Sequence, residues 1–286
     1  MVRAEYRRQN AGILMYVRPV FVTLLCGMLL ASGCQTVQTT APGAVGVERK
    51  QQMLVSENDI EKGAAQAYAK ELQKARQTGK LNANPALTAR VRAIAQRLIP
   101  ATSAFRPDAP GWKWEINTLT TDDMNAYAMP GGKIMVYSGL VDRLKLTDAE
   151  LAAVIGHEIS HALREHTRER VSRAYAQQLA LTGIAVATGA GQGTLDLANT
   201  VASVTFQLPH SREQESEADV MGLELMARAG YDPRAAVNVW QKMMAAEKSS
   251  SSEFLSTHPS PGNRIAELQA RVPKVLPLYQ AASAKR

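Results

Sequence analysis

The chain has 286 residues, of which 45% are hydrophobic and 21% are charged, a balance that is ordinary for a globular protein of one large or two small domains. The formal charge is +7, but the four arginines and one glutamate of residues 1–33 account for +3, which leaves the remainder only mildly basic. Because no basic stripe alternates with aromatic residues, nucleic-acid binding has little support.

The N-terminus has the pattern of an export signal. A positively charged stretch that contains Arg3 and Arg18 precedes an apolar run at residues 20–31, which is too short for a comfortable membrane span. Small residues follow, and then Cys34. This order resembles the bacterial lipoprotein signal, so we expect residues 1–33 to be a signal peptide and Cys34 to be acylated as the first mature residue.

Other interpretations of this region remain open. An ordinary cleaved signal, or a short N-terminal anchor with Cys34 unmodified, would also fit, because Leu30 lies one place earlier than the lipoprotein pattern has it. Translation could also start at Met15, since Arg18 would still supply charge. In enteric bacteria a residue other than aspartate after the cysteine favours the outer membrane, and here that residue is Gln35. We therefore expect a lipid-anchored protein of the outer membrane that faces the periplasm.

The rest of the chain divides into three parts. Residues 34–47 are small and polar, with glycine and proline, and predict a flexible tether. Residues 48–272 are the predicted folded domain, and residues 273–286 a C-terminal tail. Within the domain, residues 48–77 are rich in alanine, lysine and glutamate and predict a helix.

A second helix and a hairpin are predicted next. Asn84 and Pro85 are typical of a helix N-cap and first helical residue. Alternation of apolar and polar residues over 112–119 predicts a strand, and a glycine-rich turn then precedes the apolar residues 133–138. We interpret the turn and its flanks as a hairpin or edge strand. It is either a plain structural hairpin or an edge on which peptide substrate adds as a strand, formed by Asn125, Ala126, Tyr127 and Ala128.

The stretch from Thr147 onward predicts a metal-binding helix. Thr147 and Glu150 have the spacing of a capping box. His157 and His161 are four residues apart, so one helical face presents both imidazoles to one metal ion. Glu158 lies beside that face, where its carboxylate can reach a water molecule.

The stretch that begins at Ser211 predicts another helix, which carries the remaining ligand. Ser211 is a suitable N-cap, and Glu215 and Asp219 share one face of the helix that follows. We expect Glu215 to complete the metal ligands and Asp219 to fix the tautomer of a ligating histidine. Glu213 and Glu217 are alternatives for the ligand, although Glu217 should face away.

Four further features are less determined. The apolar residues 179–189 are too short to span a bilayer and could form a buried helix, a dimer face or a lid. His166 lies five residues beyond His161, off its face, and is expected to be solvated, whereas His210 is expected to be structural. Arg264 could support the ligands or bind a carboxylate.

These motifs together resemble one family. His157-Glu-x-x-His161, the Glu215-x-x-x-Asp219 element, the turn that begins at Asn125, and His258-Pro-Ser-Pro-x-x-Arg264 are similar to the zinc metallopeptidases that include the CAAX prenyl proteases, HtpX and the mitochondrial Oma-type proteases. The resemblance to bacterial periplasmic lipoprotein members is greatest.

The resemblance implies an α+β fold, mainly α-helical, of the gluzincin type, with a small sheet or hairpin beside the active-site helix. It implies one Zn2+ per chain and an endopeptidase that degrades misfolded or misassembled envelope proteins, with the outer-membrane assembly machinery as a possible partner. In such a family His258 lies near the metal, where it would either stabilise the oxyanion, as Tyr127 also could, or occupy the open coordination site and keep the enzyme latent.

Three alternatives to this function remain. The protein could be a zinc-stabilised envelope lipoprotein that acts chiefly as an assembly chaperone. It could instead hydrolyse non-peptide material such as cell wall. A purely structural zinc site is disfavoured by Glu158, which metal binding alone does not require.

Overall fold

The computed structural model describes residues 35–188, 196–247, 253–259 and 263–284. Among them, five strands form two small sheets: β1 Gln35–Val37, β2 Gln51–Met53, β3 Glu115–Leu119, β4 Ala126–Met129 and β5 Lys133–Tyr137. Most of the remaining described residues lie in helices: α1 Glu57–Gln77, α2 Pro85–Leu98, α3 Ser138–Arg143, α4 Asp148–Leu163, α5 His166–Thr188, α6 Leu197–Phe206, α7 Arg212–Arg228, α8 Ala235–Glu247, α9 Glu253–Thr257 and α10 Arg264–Ser283. The predicted α+β, mainly helical fold is confirmed.

The larger sheet lies directly beside α4. Its strand order is β3-β5-β4, with β3 parallel and β4 antiparallel to β5, so β4 is an outer strand. Gly131 and Gly132 have φ angles of 75° and 76° and form the turn between β4 and β5, a conformation that favours glycine. The predicted hairpin is therefore present, and Ala126 and Ala128 pack in the same core as α4.

Helices α4 and α7 form the centre of the core. Both begin with the predicted N-caps, Thr147 and Ser211, and both have complete capping boxes. Every residue of α4 from Glu150 to Leu163 is buried, because the sheet, α2, α7 and α8 surround it. This burial explains why polar residues on α4 must find partners within the protein.

The N-terminal residues differ from the expected tether. Residues 35–53, which we name the N-terminal strap, form the β1–β2 pair and the loop between its strands. Val45 and Val47 of the strap are buried in the main core. The backbone N–H of Val45 donates to Glu224 and its carbonyl accepts from Arg271. These contacts hold the strap against the domain, which composition alone does not predict.

Two other boundaries differ from the sequence prediction. The first helix begins at Glu57 rather than at residue 48, because β2 occupies residues 51–53 and Ser56 caps the helix. Helix α10 continues through residue 273, where we expected a tail, despite Pro273 and Pro277.

None of the described helices combines the length and hydropathy that crossing a bilayer requires. Cys34 and residues 189–195 lie outside the described residues, and α5 covers the start of the apolar segment.

Candidate metal centre

The structure brings the three predicted metal ligands together. His157 and His161 lie on successive turns of α4, and their Nε2 atoms are 3.0 Å apart. Glu215, in the first turn of α7, places Oε2 3.6 Å from Nε2 of His157 and Oε1 3.4 Å from Nε2 of His161. All three side chains are buried. The site is thus built by the crossing of two capped helices.

Asp219 and Arg264 support the first histidine. The Nδ1 atom of His157 lies 3.0 Å from Oδ1 of Asp219, one turn beyond Glu215. Arg264 donates to both carboxylate oxygens of Asp219 and places Nη1 2.9 Å from Oε2 of Glu215. Its guanidinium also lies 3.4 Å from the ring centroid of Trp240. Because the carboxylate can only accept, Nδ1 of His157 carries the proton and Nε2 presents a lone pair.

The second histidine has a different partner, which the sequence prediction missed. Nδ1 of His161 lies 2.8 Å from Nδ1 of His166, and Nε2 of His166 lies 2.9 Å from Oε2 of Glu217. The expectation that His166 is solvated was wrong, because it assumed that one helix continues past His161. Instead, Glu165 has a φ angle of 52°, and the chain turns there so that His166 begins α5 and points back to the site.

The residues present fit a bound cation. Nε2 of neutral His166 donates to Glu217, so its Nδ1 accepts from Nδ1 of His161, and the Nε2 lone pairs of His157 and His161 face each other across 3.0 Å. Oε1 of Glu215 is buried beside them and has no hydrogen-bond partner among the residues that the structure describes. Burial raises the pKa of Glu215 to about 8, an effect that Arg264 partly offsets, and burial lowers the pKa of both histidines. A divalent cation would relieve the repulsion between these lone pairs, and two imidazoles with one carboxylate are a ligand set suited to zinc.

Glu158 lies beside the three predicted ligands, but its carboxylate is oriented differently from that of Glu215. It is buried, and it accepts a hydrogen bond from the backbone N–H of Ala128 in β4. Within the described part of the chain its Oε1 has no hydrogen-bond partner, and it lies 3.5 Å from Nε2 of His258. Burial raises the pKa of Glu158 well above its ordinary value, and the nearby Glu215 raises it further. The carboxyl group therefore has a higher affinity for a proton than an exposed glutamate, and it lies beside His258.

His258 lies beside the three predicted ligands, and its Nε2 has a lone pair. Its Nδ1 lies 3.1 Å from the carbonyl oxygen of Phe254 and 3.0 Å from the hydroxyl of Thr257. Because a carbonyl can only accept, Nδ1 carries the proton of a neutral ring and Nε2 does not. That Nε2 has no hydrogen-bond partner among the described residues. A ring nitrogen of His258 lies within 4.8 Å of the ligand atoms of His157, His161 and Glu215.

The predicted substrate edge lies next to Glu158. Tyr137 donates its N–H to the carbonyl of Asn125, so alternation directs the backbone groups of Ala126 and Ala128 away from β5. The side-chain oxygen of Asn125 accepts from the N–H of Ala126 at 2.8 Å. The ring of Tyr127 instead packs edge-on against Phe206, in the cluster on the opposite side of the sheet, which does not support a role for it at the oxyanion.

The chain was compared with known proteins. A sequence model of peptidase family M48 matches residues 85–272, more than half of the chain. The mitochondrial metalloendopeptidase OMA1 of Arabidopsis thaliana is 37% identical over 182 residues, which are 62% of this chain and 36% of that protein. OMA1 of Saccharomyces cerevisiae is 34% identical over 59% of this chain and 50% of its own length.

A bacterial protein is also similar. The beta-barrel assembly-enhancing protease of Escherichia coli (strain K12) is 28% identical over 213 residues, which are 70% of this chain and 42% of that protein. The chain thus spans half or less of the length of these curated relatives. The segment that the family model matches includes α4 and α7, the two helices that build the metal centre.

Proposed function

The chain belongs to peptidase family M48, and from that premise we propose that it is a zinc-dependent metalloendopeptidase with one Zn2+ per chain held by His157, His161 and Glu215. The observation that carries the proposal is the buried convergence of two imidazole lone pairs on ring nitrogens 3.0 Å apart with a carboxylate oxygen that has no hydrogen-bond partner in the described ranges. Zinc, when bound, acts as a Lewis acid that activates water and polarises the scissile carbonyl.

Glu158 moves the protons of the reaction. Its carboxylate accepts a proton from the attacking water and delivers it to the amine nitrogen of the leaving peptide, so one peptide bond becomes a carboxylate and an amine. Burial raises the pKa of Glu158 above its ordinary value, which makes this carboxylate a better base than an exposed one. The hydrogen bond from Ala128 holds it in place.

Peptide substrate adds to β4 as a further strand. Support comes from the outer position of β4 in its sheet and from the contact between Ala128 and Glu158, which brings this edge to the reacting carbonyl. The residues concerned are Asn125, Ala126, Tyr127 and Ala128.

His258 keeps the enzyme latent. Because its Nε2 presents a lone pair rather than a proton, the side chain suits a fourth metal ligand better than an oxyanion donor. A substrate that displaces His258 would open the coordination position that hydrolysis needs.

The natural substrates are misfolded or misassembled proteins of the cell envelope, and a lipid on Cys34 anchors the protein to the outer membrane on the periplasmic side. The lipoprotein-like signal and the name of the Escherichia coli relative, which refers to β-barrel assembly, support this location. The outer-membrane assembly machinery is then a partner. Labelling cells with a palmitate analogue tests the anchor: Cys34→Ser should abolish incorporation, and continued labelling would contradict it.

Metal dependence tests the enzymatic proposal. Purified protein should cleave an unfolded protein such as casein, lose this activity when a chelator removes its zinc, and regain it on addition of one equivalent of Zn2+. Glu215→Gln, which removes one ligand charge, should not be restored by the same addition. Undiminished cleavage by protein whose metal content is shown to be zero would overturn the proposal.

A further inference from the structure

The two ligating histidines are held in different ways. His157 contacts its carboxylate, Asp219, directly. His161 reaches a carboxylate only through His166, whose two ring nitrogens contact His161 at 2.8 Å and Glu217 at 2.9 Å. The side chains of this second path are His161, His166, Glu217 and Arg164, and all four are buried. His161 is therefore held by a different set of residues from the set that holds His157.

Hydrogen-bond chemistry fixes the proton positions along this path. The carboxylate of Glu217 can only accept, so Nε2 of His166 donates to it and carries the single proton of the neutral ring. Nδ1 of His166 is then unprotonated and accepts from Nδ1 of His161. Nε2 of neutral His161 is thereby left with a lone pair. Only one arrangement of protons satisfies all three groups, and it is the arrangement that metal binding by His161 requires.

Two arginines hold the end of the path. Arg164, at the C-terminus of α4, donates through Nη2 to Oε1 of Glu217 at 3.0 Å. Arg49, in the N-terminal strap, donates to both oxygens of Glu217, at 2.9 Å and 3.0 Å. Arg164 also donates to the carbonyl oxygen of Arg49 at 2.9 Å. Arg49 of the strap thus binds the carboxylate of Glu217, which in turn accepts the hydrogen bond from His166.

We propose that His166 and Glu217 are positioning residues that orient His161 for metal binding, and that Arg49 couples the N-terminal strap to the metal centre by holding Glu217. This inference rests on the proposed function, in which His161 is a metal ligand. Residues that contact ligating histidines in this way commonly contribute 10- to 100-fold to metal affinity. The strap is then part of the enzyme's metal site and not only a connection to the N-terminus.

The test measures metal binding rather than peptide cleavage. The full chain, purified in detergent, is titrated with Zn2+ in competition with a chromophoric chelator, and the visible absorption bands of the Co2+-substituted protein report ligand geometry. His166→Leu removes both contacts of the ring. His166→Asn keeps an acceptor near the position of Nδ1 and serves as the conservative replacement. Glu217→Ala and Arg49→Ala interrupt the path farther from the metal.

Glu224→Ala is the matched control. Glu224 lies on the same helix as Glu217, is also buried, and also contacts the strap, through the N–H of Val45. It has no hydrogen bond to a histidine among the described contacts. Its loss therefore removes one contact of the strap, at Val45, while every hydrogen bond of the path from Arg49 to His161 is kept.

The proposal predicts that His166→Leu and Glu217→Ala weaken zinc binding about 10- to 100-fold and shift the Co2+ bands. Arg49→Ala should weaken binding less but in the same direction, His166→Asn should retain more affinity than His166→Leu, and Glu224→Ala should bind as the parent does. Equal affinities and unchanged bands in His166→Leu, or in Glu217→Ala if the leucine variant does not fold, would overturn the proposal. Failure of the parent to bind zinc would instead overturn the proposed function on which it rests.

Discussion

Gly156 of α4 and Gly222 of α7 lie in backbone contact, so that a Cβ atom on Gly222 would be 2.8 Å from the backbone nitrogen of His157. This close approach sets the distance between the helix that carries the two histidines and the helix that carries Glu215. The two glycines therefore determine whether the three ligands can share one ion, although neither glycine has a side chain in the site.

Replacing Gly222 with alanine should separate α4 from α7. The added Cβ would meet backbone atoms of both Gly156 and His157, which cannot move aside as a flexible side chain would. We expect a loss of about 1–3 kcal/mol in unfolding free energy and weaker zinc binding. Gly111→Ala is the control, because none of the described residues has an atom within 4 Å of its Cβ position, apart from its chain neighbours. Denaturant unfolding and zinc titration measure both effects, and an unperturbed Gly222→Ala protein would contradict this role.

His258→Ala should activate the enzyme. If His258 occupies the fourth coordination position, its removal should speed the cleavage of casein and weaken zinc binding, because one ligand is lost. A purely oxyanion-stabilising role predicts the opposite pattern, with a reaction about 100- to 1,000-fold slower and an unchanged zinc affinity. Rates and zinc affinities measured on the same protein preparations distinguish the two, and the slower pattern would refute latency through this residue.

Asp219→Ala should strongly destabilise the protein without metal. The substitution leaves the buried guanidinium of Arg264 with one carboxylate fewer, and such losses cost about 3–5 kcal/mol. The control is Asp232→Ala, since Asp232 also binds an arginine, Arg234, but that arginine is exposed and solvent screens the pair, so its loss should have little effect on stability. Urea unfolding of metal-free proteins measures the difference, and equal effects would contradict the role assigned to Asp219.

Glu169 should make stability depend on acid pH. Burial alone would raise the pKa of this group, but hydrogen bonds from Arg49, Gln51 and Gln214 outweigh burial and lower the pKa to about 2. A carboxyl with a lowered pKa in the folded state stabilises the protein above its unfolded pKa, near 4.5, and this stabilisation is lost as the pH falls toward 2.

Glu169→Gln therefore tests this network directly. At pH 7 the variant should be less stable than the parent by on the order of 1–2 kcal/mol, after allowance for screening by solvent. The difference should shrink as the pH falls from 5 toward 2. Unfolding of metal-free protein across this range measures it, with Glu115→Gln, at an exposed ion pair, as the control. A difference that does not change with pH would show that Glu169 does not titrate as assigned.

The sequence allowed the local features of the site to be predicted. Thr147 and Ser211 cap α4 and α7 through contacts within four residues, and the histidine and carboxylate spacings follow from helical geometry. The hairpin at residues 126–137 is local in the same sense. Such features depend on neighbours in the chain, so the sequence pattern determines them.

The remaining features depend on distant partners. Arg49 binds Glu217, 168 residues later in the chain, and no local pattern marks either residue. The role of His166 follows from the turn at Glu165, a residue type for which a positive φ is uncommon. Residues 35–47 have the composition of a linker, yet Val45 and Val47 are buried in the core. The backbone of Val45 also forms hydrogen bonds with Glu224 of α7 and Arg271 of α10. These three features are determined by tertiary packing, which a local sequence pattern does not show.

Cleavage of casein by the zinc-loaded protein, measured beside its Glu158→Gln variant, tests the central claim most directly. The amide keeps the shape of the side chain but cannot accept the proton from water, so both proteins should bind one zinc and only the parent should produce fragments. Cleavage by the variant at a rate near that of the parent would contradict the assignment of Glu158, and with it the proposed mechanism.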